Sequence, residues 1–528
     1  MTDRVYLYDS TLRDGSQARG VDFTLADKLA IAKALDAFGI DYIEGGWPGA
    51  NPKDDAFFAE KPATKTSKIS AFGMTRKNGR SADNDPGLAA LLQTETPSIC
   101  IVGKTWDFHI EKALEITAEE NRKMIEDSVK YLAKHKREVL FDAEHFFDGY
   151  KHNKPVALEM IKAAHDAGAR WIVLCDTNGG TLPHQIGEIV RDVTQHVPGA
   201  HLGIHCHNDT ENAVANSLAA VLAGVRQVQG TINGIGERCG NANLISIIPN
   251  LMLKMGFDTG ISHDKLTELT KLSRLIDERL SKTPNMHAPY VGPAAFAHKG
   301  GLHVSAMAKD TASYEHIEPE AVGNERTILV SDKAGKSNIV ARLKQLGLEA
   351  EANSDHIEKL VEIVKEQETQ GYAYEGADAS FELLARRLLT GVPAFYDISS
   401  FRVMDERRWN AKGTLVTVSE ATVKLSVNGE KVMSVAEGNG PVNALDGAIR
   451  KALVAHYPVL ADIKLTDYKV RILTPQEGTG AMTRVLIESR DSTGKVWNTI
   501  GVSHNVIDAS FNALNDSLTY KLIHAAVH

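Results

Sequence analysis

The chain has 528 residues, and at about 150 residues per domain this length predicts roughly three structural units. Hydrophobic residues make up 43% and charged residues 24%, which excludes a fibrous or intrinsically disordered protein. The net charge of −9 excludes a global basic field of the kind that holds nucleic acid, so an anionic cofactor would need a local basic pocket.

The four cysteines are too few for a disulfide framework in a chain of this length, which is typical of a reducing compartment. The sequence has no run of about 18 apolar residues, and it begins without a charged-then-apolar leader. We therefore expect a cytoplasmic protein with no membrane partner.

The first half of the chain alternates between short β-rich runs and longer stretches with helical spacing of apolar residues. Alternation of this kind and length predicts a (β/α)8 TIM barrel, with glycines ending several of the helices. The eight predicted strands are 4–9, 41–46, 68–74, 98–103, 138–146, 170–176, 201–207 and 226–232. The clearest predicted helices are 24–39, 117–135, 154–168 and 210–224.

The alternation stops after residue 256, and a mostly helical, charge-rich region follows to about residue 390. From residue 413 the pattern becomes two strands joined at an Asn-Gly turn and then a helix, and residues 468–518 repeat this plan. We predict a barrel at 1–275, helical linker subdomains at 276–390 and a C-terminal α+β pseudo-repeat at 391–528. The repeat is better suited to binding an effector than to chemistry.

Active sites of such barrels lie at the carboxyl ends of the strands, and here those ends are unusually polar. Glycines surround the polar residues that follow strand eight, in the sequence "NGIGERCGNAN". The polar residues at or just after strand ends include Arg13, Asp14, Glu44, Asp142, Glu144, Asp176, Thr177, Asn178, His205, His207 and Asn241.

The "HCH" triplet is the sharpest signal for a metal. Residues two apart on a strand share a face, so His205 and His207 can bind one ion while Cys206 points away. With Asp14 and the amide oxygen of Asn241 they form an N/O set suited to Mn²⁺, Mg²⁺ or Co²⁺, with Zn²⁺ as a further option. Two alternatives stay open: loop histidines without a metal, and a soft zinc site that includes Cys206 and Cys239.

Three motifs together resemble the Asp-Arg-Glu barrel family of metal-dependent acyl-CoA enzymes: "DSTLRDGSQ", "HCHND" and "GIGERCGNANL". Within it they are similar to the 2-isopropylmalate, homocitrate and citramalate synthases, and the C-terminal repeat is similar to the allosteric domain of the isopropylmalate synthases. Four segments read like the citramalate branch: 42–54, 142–151, 297–306 and 314–326. The resemblance implies condensation of acetyl-CoA with pyruvate to (R)-citramalate, leading toward isoleucine. Use of a larger 2-oxo acid is the alternative.

The resemblance also implies residue roles around a bound 2-oxo acid. Asp14, His205 and His207 would bind the metal, with Asn241 as fourth ligand. Arg13 would donate to the keto oxygen as it becomes an alkoxide, which is stabilisation of developing charge. Thr177 is predicted to contact the substrate carboxylate, with a helix N-cap as its alternative role. Glu44 is predicted to contact substrate as well.

A base must also remove a proton from the acetyl methyl group. Glu144 is the first candidate for positioning or activating it, and His303, acting with Tyr314, is the second. In the resembling synthases this histidine and tyrosine come from the partner subunit, which implies a homodimer. The repeat domain and the product together suggest isoleucine as an effector.

Bulky side chains near strand ends favour a small 2-oxo acid over a branched one. Trp47, Trp106, Phe146 and Phe147 are the candidates, and their alternative role is packing beneath the loops.

Three other functions of the barrel compete with the synthase: a 3-hydroxy-3-methylglutaryl-CoA lyase, a biotin-dependent carboxyltransferase and a catalytically silent binding module. The chain lacks a "GCPYA"-like loop and an "MKM" biotin acceptor, and the full set of polar strand ends argues against a silent barrel.

Overall fold

The computed structural model describes residues 3–329, 335–409 and 411–525. The chain divides into two compact units. The first comprises Met1–Phe296 and Ile317–Glu325, and the second comprises Ala297–His316 and Arg326–His528.

The first unit is a closed barrel of eight parallel strands, paired in chain order, with β8 returning to β1. This confirms the predicted (β/α)8 fold and every one of the eight predicted strands to within a few residues. The strands are β1 (Tyr6–Asp9), β2 (Tyr42–Gly46), β3 (Lys68–Met74), β4 (Ser98–Lys104), β5 (Glu138–Glu144), β6 (Trp171–Asp176), β7 (Leu202–Cys206) and β8 (Gln227–Gly230).

Helices surround the strands, and local sequence sets their ends. In α1 the Thr24 hydroxyl accepts a hydrogen bond from the Asp27 backbone, the Asp27 carboxylate accepts one from Thr24, and Gly39 ends the helix at φ 109°. The helices of this unit are α1 (Leu25–Phe38), α2 (Pro52–Ala59), α3 (Pro86–Gln93), α4 (Asp107–Lys112), α5 (Ala118–Lys134), α6 (Phe146–His152), α7 (Lys154–Asp166), α8 (Pro183–Val193), α9 (Ala213–Leu222), α10 (Leu244–Pro249), α11 (His263–Leu266) and α12 (Leu269–Arg279).

The inside of the barrel is filled by side chains that precede the strand ends. Tyr8, Tyr42, Leu140 and Trp171 are buried in one cluster there, and the Trp171 indole donates to the Tyr42 hydroxyl at 3.1 Å. The barrel is therefore a packed core and not a channel, so chemistry is confined to its open end.

The second unit begins with a helical region and ends in two similar sheet-and-helix repeats. The helical region contains β9 (Ala297–His298), α13 (Gly301–Met307), β10 (Thr327–Ile328), α14 (Lys336–Gln345), α15 (Ser354–Thr369) and α16 (Asp378–Leu389). The first repeat contains β11 (Asp397–Trp409), β12 (Leu415–Val427), β13 (Glu430–Gly438) and α17 (Pro441–Leu453). The second contains β14 (Lys464–Ile472), β15 (Thr483–Arg490), β16 (Val496–Ser503) and α18 (Val506–His524).

Each repeat is a three-stranded antiparallel sheet followed by a helix, which confirms the predicted pseudo-repeat. The sequence predicts only two strands in the first repeat, and the structure adds β11 at its edge. The polar end of β11, "DERRW", is exposed and lacks the alternation that marks a half-buried strand, so the pattern alone does not reveal it.

Candidate active site

Asp14, His205 and His207 meet at the open end of the barrel, as the sequence predicts. Nε2 of His205 lies 3.2 Å from the Asp14 carboxylate, Nε2 of His207 lies 3.7 Å from the same oxygen, and the two Nε2 atoms are 3.3 Å apart. All three residues are buried, and among the described residues they form the one cluster with metal-ligand spacing. Asp14 follows β1 and the histidines lie at the end of β7, so barrel closure brings the two segments together.

The ring of His205 is held by a buried amide. Its Nδ1 is 2.9 Å from Oε1 of Gln229, which can only accept, so Nδ1 carries the hydrogen and Nε2 keeps its lone pair toward Asp14. The Gln229 amide nitrogen in turn donates to Asp142 at 3.2 Å. Burial raises the pKa of Asp142 to about 6. An acceptor for the ring N–H that faces away from the metal is the usual way of fixing the tautomer of a ligating histidine.

The protonation states of Asp14 and His207 fit a divalent metal. Burial lowers the pKa of His205, but the Asp14 carboxylate raises it by more, so a metal that binds there would take the place of a proton on that ring. Burial raises the pKa of Asp14, but the positive charge of Arg13 and the neighbouring His205 ring lower it by more, to well below its usual range. Burial and the neighbouring imidazole lower the pKa of His207 to about 4. An ionised carboxylate and a neutral imidazole are the forms that bind metal.

Asn241 lies beside His207 in the structure and offers a further oxygen. Its backbone pairs with His207 in an isolated bridge, and its buried Oδ1 has no hydrogen-bond partner within the described part of the chain. A buried, unsatisfied amide oxygen is costly, and a metal or metal-bound water would satisfy it. The donor set of one carboxylate, two imidazoles and an amide therefore fits an octahedral divalent ion.

Arg13 is fixed on the other side of Asp14. Its Nε donates to Glu44 at 2.8 Å, its guanidinium lies 3.9 Å from the centre of the Phe72 ring, and Nη1 is 3.8 Å from the Asp14 carboxylate. Glu44 is fully buried and also accepts from the hydroxyls of Tyr8, at 2.8 Å, and Ser10. Because its carboxylate is committed to these donors, Glu44 lies behind Arg13 and does not line the cleft. This geometry favours a positioning function over the substrate contact that the sequence predicts.

A cleft of about 310 Å³ opens beside the metal-type cluster. Its residues come from the ends of most barrel strands and the loops that follow. They are Arg13, Asp14, Gln17, Trp47, Phe72, Met74, Val102, Lys104, Asp142, Glu144, Cys175, Thr177, His205, His207, Glu237 and Arg238.

Glu144 lies in this cleft in an ion pair with Lys104. The two residues are register partners at the ends of β4 and β5, so the pair follows from strand alignment. Sequence reasoning missed Lys104, although it stands at a strand end in "GKTWDFH" and the rule applied to the other strand ends would have found it.

Thr177 also lines the cleft. Its hydroxyl oxygen accepts from the backbone N–H of His145 at 2.8 Å, which leaves the hydroxyl hydrogen free to be donated. The next helix, α8, begins six residues later at Pro183, so the alternative role of Thr177 as a helix N-cap is wrong. Arg238, which sequence reasoning also missed, lines the same wall and donates to the Thr177 carbonyl at 2.7 Å and to Asp209.

The prediction about bulky aromatics is partly wrong. Trp47 lines the cleft and meets Phe72 edge to face, with ring centres 5.3 Å apart. Phe146 and Phe147 are fully buried in the hydrophobic core, because α6 begins at Phe146 and turns both rings inward. Trp106 does not line the cleft and instead stacks on His109 at 5.0 Å.

The cysteines do not join the metal-type cluster. Cys206 packs in the hydrophobic core, as expected for the residue between two that face the site, and Cys239 is exposed. His303 and Tyr314 belong to the second unit, where both are exposed and their rings stack with centres 4.0 Å apart.

Comparison with known proteins agrees with this geometry. The HMGL-like family matches residues 4–275, the homocitrate synthase post-HMGL domain-like family matches 290–371, and the LeuA allosteric (dimerisation) domain matches 375–522. The (R)-citramalate synthase of Aquifex aeolicus is 53% identical over 525 residues, which cover 99% of this chain and 98% of that protein. The chain belongs to the citramalate synthase family.

A second (R)-citramalate synthase is equally similar, whereas a 2-isopropylmalate synthase is less similar. The (R)-citramalate synthase of Geobacter sulfurreducens is 53% identical over 521 residues, covering 98% of this chain and 97% of that protein. A 2-isopropylmalate synthase of Dictyoglomus turgidum is 31% identical over 527 residues, with 98% and 99% covered. The closer likeness is thus to the citramalate synthases. Within the described residues, no helix combines the length and apolar character needed to cross a membrane.

Proposed function

We propose that the protein is a divalent-metal-dependent (R)-citramalate synthase. It condenses acetyl-CoA with pyruvate, hydrolyses the thioester, and releases (R)-citramalate and CoA for isoleucine biosynthesis. The observation that carries this proposal is identity of 45–53% to five (R)-citramalate synthases over almost the whole chain. The small cleft beside the Asp14, His205 and His207 cluster is consistent with a short 2-oxo acid.

Asp14, His205 and His207, with Asn241 as fourth ligand, would hold Mn²⁺, Mg²⁺ or Co²⁺. The metal would act as a Lewis acid that polarises the keto group of pyruvate. The ligand residues thereby set which end of the cleft receives the 2-oxo acid.

Arg13 donates to the keto oxygen while charge develops on it. Its Nε is held by Glu44, so the remaining guanidinium N–H groups are aimed at the substrate before the reaction begins. Glu44 is accordingly a positioning residue. The hydroxyl of Thr177 donates to the pyruvate carboxylate, and Trp47 and Phe72 limit the space beside the methyl group.

The condensation needs a base at the acetyl methyl group. The base takes one methyl proton, the resulting carbon forms a bond to the keto carbon of pyruvate, and the keto oxygen takes up a proton to become a hydroxyl. Water then cleaves the thioester, leaving a carboxylate and the CoA thiol. Glu144 is the first candidate for positioning or activating the base because it lines the cleft. His303 with Tyr314 is the second, supported by their mutual stacking.

We also propose a homodimer, because the LeuA allosteric (dimerisation) domain matches residues 375–522. We propose isoleucine as the effector of the enzyme and the cytoplasm as its location. In the dimer, the active site of one subunit would receive His303 and Tyr314 from the partner subunit. The limits 1–275, 276–390 and 391–528 remain proposals for the domains. Analytical sedimentation of the purified chain tests the dimer. Unchanged rates of thiol release at millimolar isoleucine would rule out isoleucine as an effector.

The experiment for the reaction follows free thiol from acetyl-CoA with Mn²⁺ or Mg²⁺ and a panel of 2-oxo acids. Pyruvate should give the highest kcat/KM, with residual activity on 2-oxobutyrate because one methylene is worth only about 1–3 kcal/mol. A preference of about tenfold for 2-oxoisovalerate or 2-oxoglutarate would overturn the citramalate assignment.

A further inference from the structure

Strand β2 contains a bulge just before it reaches the cleft. The register with β3 shifts by one residue between Glu44 and Gly46, so Gly45 is an extra residue that no residue of β3 opposes. A bulge bends a strand and redirects the side chains that follow it, and bulges are frequent next to active sites. The side chain that follows this bulge is Trp47, which lines the cleft. Whatever holds the bulge therefore sets one wall of the cleft.

A buried ion pair outside the cleft holds this bulge. Lys28 of α1 is 3% exposed, and Asp54 in the first turn of α2 is 7% exposed. The Lys28 ammonium pairs with one oxygen of the Asp54 carboxylate and donates to the Gly45 carbonyl at 2.9 Å. The other oxygen of Asp54 accepts from the backbone N–H of Trp47 at 2.8 Å. The pair thus contacts the main chain both at the bulge and at the residue that lines the cleft.

The surrounding sequence is fitted to the Asp54 carboxylate. Gly46 has φ 149°, and a Cβ atom there would lie 2.4 Å from the carboxylate carbon of Asp54, so only glycine lets the strand end approach so closely. The Asn51 amide donates to the same carboxylate at 2.9 Å and accepts from the Asp54 backbone N–H at 2.9 Å. The carboxylate is therefore fixed by Lys28, by Asn51 and by the main chain of Trp47.

Stability alone does not account for this pair. Removing two charges from water is costly, and apolar side chains of similar volume often stabilise a core as well or better. Burial lowers the pKa of Lys28 by more than the Asp54 carboxylate raises it. Apolar side chains could not accept from the Trp47 N–H or donate to the Gly45 carbonyl. The geometry that the pair imposes on the main chain is thus its distinctive contribution.

A displacement of Trp47 would reach the groups that act on the substrate. Its ring meets Phe72 edge to face, with ring centres 5.3 Å apart. The Arg13 guanidinium lies 3.9 Å from the centre of the same Phe72 ring. Trp47 is bonded directly to the ion pair and Arg13 is two contacts further on, so a change at the pair affects the wall of the cleft first.

We propose that Lys28 and Asp54 are positioning residues that select the size of the 2-oxo acid by fixing the Trp47 wall of the cleft. This inference rests on the proposed function. Neither residue lines the cleft, so both act through the main chain of Trp47. With the pair intact, Trp47 is held against Phe72 and leaves room for the methyl group of pyruvate. Without the pair, the segment between β2 and α2 relaxes and admits the ethyl group of 2-oxobutyrate.

The test replaces the pair by apolar side chains of similar shape, Lys28→Met with Asp54→Leu, which leaves no lone buried charge. We expect the ratio of kcat/KM for 2-oxobutyrate to that for pyruvate, measured by competing the two acids, to rise about tenfold. Asp41→Asn is the matched control. Asp41 precedes the opposite end of β2, pairs with Arg4 at 2.6 Å and accepts from the Leu7 backbone N–H at 2.8 Å. The control should lower the urea midpoint and leave the ratio unchanged.

A third substitution tests whether the pair acts through Trp47. Trp47→Ala alone should raise the ratio about as much as loss of the pair, and the triple variant should show no further increase, because the two changes remove the same wall. A ratio within about twofold of the wild type in the folded double variant, or an additive increase in the triple variant, would overturn the inference.

Tryptophan fluorescence without substrate separates this inference from the proposed function. Loss of the pair should change the emission spectrum of the protein but not that of the Trp47→Ala variant, and an equal spectral change in both would overturn the inference. A wild-type protein that releases no thiol with either acid would refute the proposed function. The spectra would then still decide whether Lys28 and Asp54 position Trp47.

Discussion

Gln229→Leu is expected to weaken metal binding without any change to a metal ligand. The Gln229 amide accepts from Nδ1–H of His205 at 2.9 Å and is fully buried. Leucine is similar in size but cannot accept, so the ring loses the contact that directs Nε2 toward Asp14.

The structure sets the magnitude of this effect. A buried donor left without a partner costs about 1–3 kcal/mol, which corresponds to about 5- to 150-fold in an equilibrium constant. Loss of a group that orients a ligating histidine typically costs about 10–100-fold in metal affinity. We therefore expect the Kd for Mn²⁺ to rise by about 10–100-fold.

The assay counts free Mn²⁺ by electron paramagnetic resonance during a titration of the purified variant, so it does not depend on turnover. Gln227→Leu is the matched control: it lies two residues earlier on the same face of β8, is equally buried, and has no hydrogen-bond partner for its amide among the described residues. A Kd for Gln229→Leu within about twofold of both the control and the wild type would refute the reasoning, since it falls below the expected loss.

Four further changes test other parts of the barrel. Glu44→Gln should lower kcat for thiol release about 10²-fold or more, because Arg13 loses its charged anchor, while Mn²⁺ binding stays unchanged; an unaltered kcat would contradict the positioning function. Lys104→Met should lower kcat for thiol release about 10²-fold, because Glu144 loses the cation that pairs with it in the cleft, and an unaltered kcat would count against Glu144 as the group that positions or activates the base. Trp47→Ala should raise the rate on 2-oxobutyrate relative to pyruvate by about tenfold, as measured by competing the two acids, and an unchanged ratio would show that another group limits the pocket. Burial raises the pKa of Asp36, but hydrogen bonds from three backbone N–H groups lower it by more, so that it falls from 3.8 to about 2. The contribution of the Asp36 carboxylate to stability is therefore complete above pH 3.8 and is lost as the pH falls through 2. Asp36→Asn should therefore lower the urea midpoint at neutral pH and flatten its decline in acid, and parallel curves would contradict this.

Local sequence patterns were enough to predict the barrel fold and the metal-type cluster. Alternation of strands and helices predicts the barrel, because each element carries its own period and its own end signals. His205 and His207 could be paired from sequence because a strand places residues two apart on one face. Asp14 could be added because all strands of such a barrel end at the same rim.

Contacts between distant segments could not be predicted in this way. Lys104 and Glu144 are 40 residues apart and pair only because β4 and β5 align in register. The same holds for Glu44, which the sequence places at a strand end but the structure places behind Arg13.

The sequence by itself determined the fold class, the C-terminal repeat and the three residues of the metal-type cluster, since these depend on periodicity and on the rule for strand ends. Only the tertiary structure decided which polar residues face the cleft and which support others, why Phe146 and Phe147 are in the core, and that Lys104 pairs with Glu144 in the cleft. The physical reason is that the direction of a side chain at the end of a strand depends on the closure and register of the whole barrel, which no short segment encodes.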